Sequence, residues 1–582
     1  KIDRQALPSP ESINPELAAK FVAPRNSIEK TIANIWSGVL KIERVGIYDN
    51  FFELGGDSII SIQITARLNQ AGLQLTPKHL FDSPTVAGLA AAVGSVSKLE
   101  VDQSPVTGLV PLTPIQHWFF EQNLSESHHW NQSLLLEIPS ETNLALLEQA
   151  VQYLQQHHDA LRLRFIPQEA GWQQINAGLE EVTKISILHQ DLSELLPAVQ
   201  DTALETTANE LQASLNLAEG LLTRVALFDL GKQGKRLLLI IHHLVVDGLS
   251  WRILLEDLMQ LYQQLSQKQP VYLPLKTTSF KEWSEFLQDY AQSPQLKQEK
   301  DYWLKASPQD VSRLPIDYAD GTNTIGDTDT VSVSLTVEET KALLQDVPTT
   351  YHTQINDVLL TTLVQSFTSW TGKDSLLIDL EGHGRETISN DINITRTVGW
   401  FTTIFPVLLS LEGISQTEEA LKAIEEQLQS IPNKGIGYGV LRYLNRNSST
   451  HPELPTFSQA EVRFNYLGQF EQVLSESLMF KLAKQSMGNS RSLRSERRYL
   501  LDINGFVLGG QLQLEWTYSN KIHQRSTIEQ LANELIKISR SLLGDLQSTD
   551  AVAYTPSNFP NAELSQTELD ELLAKINSGS EI

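Results

Sequence analysis

Periodicity changes twice within residues 237–258. Leu237 to Ile241 form a continuous apolar run, the pattern of a strand buried on both faces, and Trp251 to Leu258 open an amphipathic helix. A buried strand that passes through a short loop into a helix is the repeating unit of α/β layers. The loop between them reads His242-His243-Leu244-Val245-Val246-Asp247-Gly248. Its second histidine therefore stands at the end of a strand, where a scaffold can hold an imidazole in a cleft. Imidazole is the side chain suited to moving protons near neutral pH.

A chain of 582 residues is too long for one core and predicts about three domains. No apolar run reaches membrane-spanning length, and Lys1-Ile2-Asp3-Arg4 has no signal-peptide core. The net charge of −25 argues against nucleic acid and anionic membranes as partners. The basic run Arg491 to Arg498 is expected to be a solvated face. Cysteine is absent, which fits a cytoplasmic location and removes thiolate nucleophiles. Any thiol chemistry must then arrive on a cofactor.

Residues 22–95 read as a small helical domain. Asn26 is a helix cap with Glu29 as its capping-box partner, and Ile28, Ile32, Ile35, Trp36, Val39 and Leu40 share one helical face. The string Asp49-Asn50-Phe51-Phe52-Glu53-Leu54-Gly55-Gly56-Asp57-Ser58 follows. Its glycines mark a turn, Asp57 is the predicted N-cap and Ser58 opens a second helix, with Ile60, Ile64 and Leu68 on one stripe. A serine hydroxyl at a positive helix end suits an incoming phosphate ester. The whole string resembles the core motif of peptidyl carrier domains. The resemblance implies a phosphopantetheine arm on Ser58, attached by a phosphopantetheinyl transferase. An aspartate directly before the serine is similar to carriers that work with epimerization domains.

Residues 96–108 are polar, contain Ser104-Pro105 and read as a linker. From 109 to about 550 helical and strand patterns alternate, with further strands at Ser375–Leu380 and Val407–Leu411. Seven strings along this stretch resemble, in order, the motifs of the epimerization branch of the nonribosomal peptide synthetase condensation superfamily. Pro114-Ile115-Gln116-His117-Trp118-Phe119 comes first, then His157-His158-Asp159-Ala160-Leu161-Arg162 and the His-His motif with its extension Ser250-Trp251-Arg252. Asp379-Leu380-Glu381-Gly382-His383-Gly384-Arg385-Glu386 and Arg396-Thr397-Val398-Gly399-Trp400-Phe401-Thr402 follow. Gly435-Ile436-Gly437-Tyr438-Gly439 and Phe464-Asn465-Tyr466-Leu467-Gly468-Gln469 complete the series. The fold this implies is multidomain: a small all-α carrier four-helix bundle, then a two-lobed α/β condensation-superfamily domain similar to CoA-dependent acyltransferases. The N lobe is expected at about 109–285 and the C lobe at about 286–550. No internal repeat is visible, so the two lobes rest on the resemblance.

Inverting the carbon beside a thioester requires removing a proton from one face and returning one to the other. A base and an acid on opposite sides do this best. His243 and Glu381 both follow predicted strands, and in the family these motif positions hold the acid–base roles. Asn465 and Tyr466 are expected to position substrate or stabilise the intermediate. Asp247 is expected to pair with Arg162 and hold the loop, so that its loss disturbs the fold before the chemistry. His242 is read as structural, Trp400 and Phe401 as core or tunnel wall, and Gly435, Gly437 and Gly439 as backbone bends. His157-His158-Asp159 lacks a further ligand at metal spacing, so no metal is expected.

The ends carry weaker signals. Lys1 to Pro8 is similar to the last motif of an adenylation domain, and 1–21 is read as the tail of one. Residues 551–582 read as a linker followed by an acidic amphipathic segment with Leu564, Leu569, Leu572, Leu573 and Ile576. It looks like a donor docking helix for a downstream condensation domain. The expected activity is L/D epimerization of an aminoacyl or peptidyl thioester. Peptide-bond formation by a condensation domain and a non-catalytic recruitment role are the alternatives.

Overall fold

The computed structural model describes residues 21–94, 100–169, 171–305, 313–351, 353–414, 416–445, 459–469, 480–546 and 568–569. All but Phe21 of the predicted adenylation-type tail, and all but two residues of the predicted docking segment, lie outside them.

The first unit is helical: α1 Ser27–Leu40, α2 Ser58–Gln70, α3 Pro77–Asp82 and α4 Val86–Ala92. It has its own core, built on Ile32, Trp36, Phe51, Ile60, Ile64 and Leu89. Asn26 caps α1 as expected, accepting from the Glu29 amide at 2.9 Å. Glu29 does not return the bond, because its carboxylate is taken by the Arg25 amide at 2.7 Å and the Arg25 guanidinium at 2.6 Å. A charge-assisted pair outcompetes the neutral half of the capping box.

The second unit contains fourteen strands among the described residues. In chain order they are β1 Gly108–Val110, β2 Asn131–Ile138, β3 Leu163–Gln168, β4 Gly171–Asn176, β5 Ile187–Asp191, β6 Thr223–Asp229 and β7 Lys235–His242. There follow β8 Thr328–Ser334, β9 Ser375–Gly382, β10 Thr403–Ser410, β11 Val462–Gln469, β12 Lys481–Leu482, β13 Leu501–Leu508 and β14 Gln511–Ser519. One sheet runs β12-β2-β7-β6-β5, a second runs β10-β9-β11-β13-β14-β8, and β1-β4-β3 form a small third. Each large sheet thus anchors one lobe, and a single continuous core from Val110 to Leu542 packs both.

Two features of this topology position the site. The chain returns from the second sheet to the first near residue 480: β12 pairs with β2, Arg491 bridges Trp130, and the Asn131 amide donates to the Ser490 carbonyl at 2.8 Å. In the second sheet, β9, β11 and β13 run in parallel register. Asp379 faces Arg463 and Arg463 faces Asp502, while Glu381 faces Asn465 and Asn465 faces Asn504. Side chains alternate along a strand, so these six polar groups share one face. The intervening Leu380, Phe464 and Ile503 go into the core.

Candidate functional site

The predicted strand–loop–helix is present as β7, a single 3-10 turn over His243–Val245, and helix α5, Gly248–Ser266. Asp247 caps α5, accepting from the Ser250 amide at 2.7 Å. Its ion-pair partner is not Arg162. Arg385 donates to Asp247 through Nη2 at 3.0 and 3.1 Å, and the Phe401 amide adds a bond at 3.2 Å. Arg162 is spent on Asp159, three residues earlier, and on the carbonyls of Gln155 and Gln156 at 2.9 Å each. Arg385 reaches Asp247 because Gly384 before it has φ +67°, and a Cβ there would lie 1.7 Å from the Phe401 carbonyl oxygen. The Asp247–Arg385 pair joins the loop after β7 to the loop after β9, and so one lobe to the other.

His242 is fully buried and structural: its Nε2 lies 2.9 Å from the Ser127 carbonyl and its Nδ1 accepts from the Leu244 amide at 3.1 Å. His243 lies against Trp400, with ring centroids 4.2 Å apart. Its Nδ1 is 2.8 Å from the Val246 carbonyl and its Nε2 is 3.1 Å from the side-chain nitrogen of Gln132. Burial, with Arg491 nearby, lowers its pKa to about 4, so the imidazole is neutral at pH 7.

Glu381 comes from the last residues of β9, on the polar face, with an oxygen 3.5 Å from Arg463 Nη1. Burial raises its pKa, against the pull of Arg463 and Arg491. Arg463 is itself held by Asp502 at 2.8 Å, and Asn465 is the register neighbour of Glu381 on β11. Tyr466 follows, with its hydroxyl buried and without a hydrogen-bond partner among the described residues. His383 is occupied locally: it accepts from the Arg385 amide at 3.0 Å and faces Glu386 at 3.4 Å.

The basic run is not a solvated face. Arg494 is exposed, but Arg497 is buried against Asp502 at 2.9 Å. Arg491 lies 3.8 Å over the Trp130 ring. Among the described residues Arg491 has no carboxylate partner, and its charge acts on both His243 and Glu381. No local pattern signals this, because the return of the chain to β2 creates the proximity. Of the three glycines expected as bends, only Gly435 is one, with φ +85°; Gly437 and Gly439 lie inside helix Ile436–Tyr443. Gly437 is small because Glu299 packs against it, its oxygen 1.9 Å from where a Cβ would be.

Ser58 opens α2 as predicted, with Asp57 as N-cap accepting from the Ile60 amide at 2.7 Å. Gly56 permits this turn, since a Cβ there would lie 2.4 Å from the Phe51 ring. Ser58 lies on the wall of a cavity of about 370 Å³, and so do Asp247, Glu381, His383, Asn465 and Tyr466. Asp57, Arg252 and Tyr466 meet at the seam: each carries a buried polar atom without a hydrogen-bond partner among the described residues, and the charges of Asp57 and Arg252 act on one another. Trp400, against the His243 ring, lines a second cavity of about 350 Å³, and Thr402 belongs to the walls of both. His243 is on neither wall; it stands on the first lobe, while Glu381 stands on the second. A serine at a helix N-terminus, opening on a cavity of this size, suits a flexible phosphate-linked arm.

His157, His158 and Asp257 bring ligand atoms within 4.8 Å of one another, a grouping the sequence did not suggest. Asp257 is already engaged by His158 at 2.9 Å and Arg396 at 2.5 Å. Among the described residues no helix is long and apolar enough to cross a membrane.

Comparison with known proteins gives matches across the chain. The condensation domain profile matches residues 106–565, and the phosphopantetheine attachment site profile matches residues 30–93. The chain is 47% identical over 584 residues to a linear gramicidin synthase protein of Brevibacillus parabrevis, covering 99% of this chain and 8% of that protein. It is 40% identical to tyrocidine synthase 2 of the same organism, covering 98% of this chain and 16% of that protein. The chain spans about a tenth of the length of the first curated relatives it matches. Among solved structures it is similar to the epimerization domain from the third module of tyrocidine synthetase B, at 38% identity and a TM-score of 0.73. That match covers 78% of this chain and 99% of that one. The X-domain from teicoplanin biosynthesis shares the fold at 16% identity, with a TM-score of 0.61 and 77% and 98% of the two chains covered.

Proposed function

We propose that this chain, which belongs to the condensation-domain family of nonribosomal peptide synthetases and carries a phosphopantetheine-attachment domain ahead of it, is a carrier–epimerization pair. Ser58 is the attachment residue. When bound, phosphopantetheine supplies the thiol that holds an aminoacyl or peptidyl group as a thioester. One observation carries the reading: Ser58 and Glu381 share the walls of one cavity, and His243 stands on the facing lobe.

His243 and Glu381 exchange the α-proton from opposite sides. His243 is neutral at pH 7, with a lone pair for the proton. Burial raises the pKa of Glu381, which favours the protonated carboxyl and suits it to hold and return a proton. Negative charge develops on the thioester oxygen as the proton leaves, and a preorganised donor there lowers the barrier. Asn465, beside Glu381 in register, and Tyr466, with its buried hydroxyl, are the groups for that task. Asp247 and Arg385 hold the two loops in place.

The partners that fit are an upstream adenylation domain, a phosphopantetheinyl transferase and a downstream condensation domain, in the cytoplasm. The test loads the chain with L-aminoacyl-pantetheine and incubates it in D₂O. Release of the arm, mass spectrometry and chiral analysis then read the outcome. Deuterium at the α-carbon with D product supports epimerization. Peptide bond formation with an offered acceptor, and no exchange, would instead establish a condensation domain. Neither reaction, at confirmed loading across several amino acids, would point to a recruitment role.

A further inference from the structure

Around Gln132 the donor and acceptor roles can be counted outright. Gln132 lies on β2 and reaches two partners. Its Oε1 accepts the Trp251 indole N–H at 2.8 Å, and its amide nitrogen is 3.1 Å from His243 Nε2. An indole nitrogen only donates, so the amide oxygen faces Trp251 and the NH₂ faces the imidazole. His243 Nε2 is therefore an acceptor. The other ring nitrogen gives the same answer independently. Nδ1 lies 2.8 Å from the Val246 carbonyl, which only accepts, so Nδ1 carries the hydrogen.

We infer that Gln132, oriented by Trp251, is a positioning residue that fixes His243 as the Nδ1–H tautomer, makes Nε2 its basic atom and opposes the imidazolium. The inference deepens the proposed epimerization site and rests on His243 as its proton-transferring group. Protonating Nε2 would set N–H against N–H. The amide cannot turn over to relieve this without taking the acceptor from Trp251. The charged and titratable groups facing the ring are few. His242 beside it, with a pKa lowered to about 3, stays neutral as His243 titrates; Asp247 on its own loop favours the imidazolium, while Arg491 on the returning segment disfavours it. Gln132 adds a fixed dipole to the second side. A base held this way gives its proton back readily, as an exchange running in both directions needs.

The test uses the full chain labelled with ¹⁵N-histidine, with His243→Asn to assign the ring among the 13 histidines. Long-range proton–nitrogen correlation reads the tautomer and the titration, and α-deuterium exchange against pH reads the rate. Wild type should show the hydrogen on Nδ1. Gln132→Glu should reverse the sign, because a carboxylate accepts from both Trp251 and a protonated Nε2. His243 then titrates at higher pH, and the limb of the exchange profile on which the base ionises moves with it. Each unit of that movement should cost about tenfold in exchange on the limb. Gln132→Met keeps the bulk and removes both bonds; the Val246 carbonyl still holds the hydrogen on Nδ1, and His243 should titrate above wild type because no amide N–H then faces Nε2. A wild-type ring with its hydrogen on Nε2, or a Gln132→Glu titration that coincides with wild type, overturns the inference. If the Nδ1–H pattern and the Gln132→Glu shift appear but wild type exchanges no α-proton, the lock stands and the epimerase reading fails.

Discussion

Replacing Asp247 with alanine should open the seam between the lobes before it alters proton transfer. Asp247 is 4% exposed and Arg385 3%. The carboxylate receives the Ser250 amide at 2.7 Å, the Phe401 amide at 3.2 Å and Arg385 Nη2 at 3.0 and 3.1 Å. The first of these is the cap of α5, and its loss costs about 1 kcal/mol. Removing the rest leaves a buried guanidinium unpaired, which typically costs about 3–5 kcal/mol. Arg385 keeps the carbonyls of Ile394 and Thr397 at 2.7 Å and the Phe401 ring at 4.0 Å. The lower end of that range therefore applies, and about 4 kcal/mol is expected in all. Urea unfolding followed by tryptophan fluorescence measures it. Arg385→Met should cost a similar amount, and the double variant clearly less than the sum, by about 2 kcal/mol or more, since neither charge is stranded. Additive losses would refute the reasoning. So would an Asp247→Ala midpoint equal to wild type with α-exchange abolished, which would make Asp247 a participant in the chemistry.

The other expectations are more direct. Ser58→Ala should show no mass gain on incubation with a phosphopantetheinyl transferase and coenzyme A, while wild type gains one arm. His243→Ala and Glu381→Gln should each lower α-exchange by about 10²–10⁴ at unchanged loading. Arg491→Met should weaken exchange with little change in urea midpoint, because its cation has no carboxylate partner among the described residues to strand. Acid should destabilise the fold through its buried histidines. Burial lowers the pKa of His242 to about 3 and those of His243 and His157 to about 4. The unfolded chain protonates them near 6.5, so between these values it binds more protons and stability falls with falling pH. Urea midpoints measured from pH 7 to pH 4 should decline, and less steeply in His242→Asn.

What the sequence made legible was local. The β7–loop–α5 unit rests on periodicity, and the Asp57 cap and Ser58 rest on a turn, so both could be read in order along the chain. Arg385 as partner of Asp247 could not, because the contact joins residues 138 positions apart and depends on the positive φ of Gly384. Gln132 left no trace, because it is the middle of three consecutive polar residues, Asn131, Gln132 and Ser133, that open β2. The run Arg491 to Arg498 looked like a surface because it was charged, and it folds inward because Trp130, Asp502 and the polar sheet face await it. Gly437 was misread as a bend, since a helical glycine chosen for the close approach of Glu299 leaves no local mark.

The return of the chain at residues 480–491 has a consequence for synthesis. Strand β2 ends at Ile138, yet the segment that covers its outer edge begins at Lys481. At about 5–20 residues per second a ribosome needs roughly 20–70 s to make what lies between. Through that interval β2 presents an open edge, the kind that recruits strands from other chains. A truncation placed before residue 480 would make that exposure permanent. Where such modules are recombined, a join inside the second lobe therefore endangers the solubility of the first.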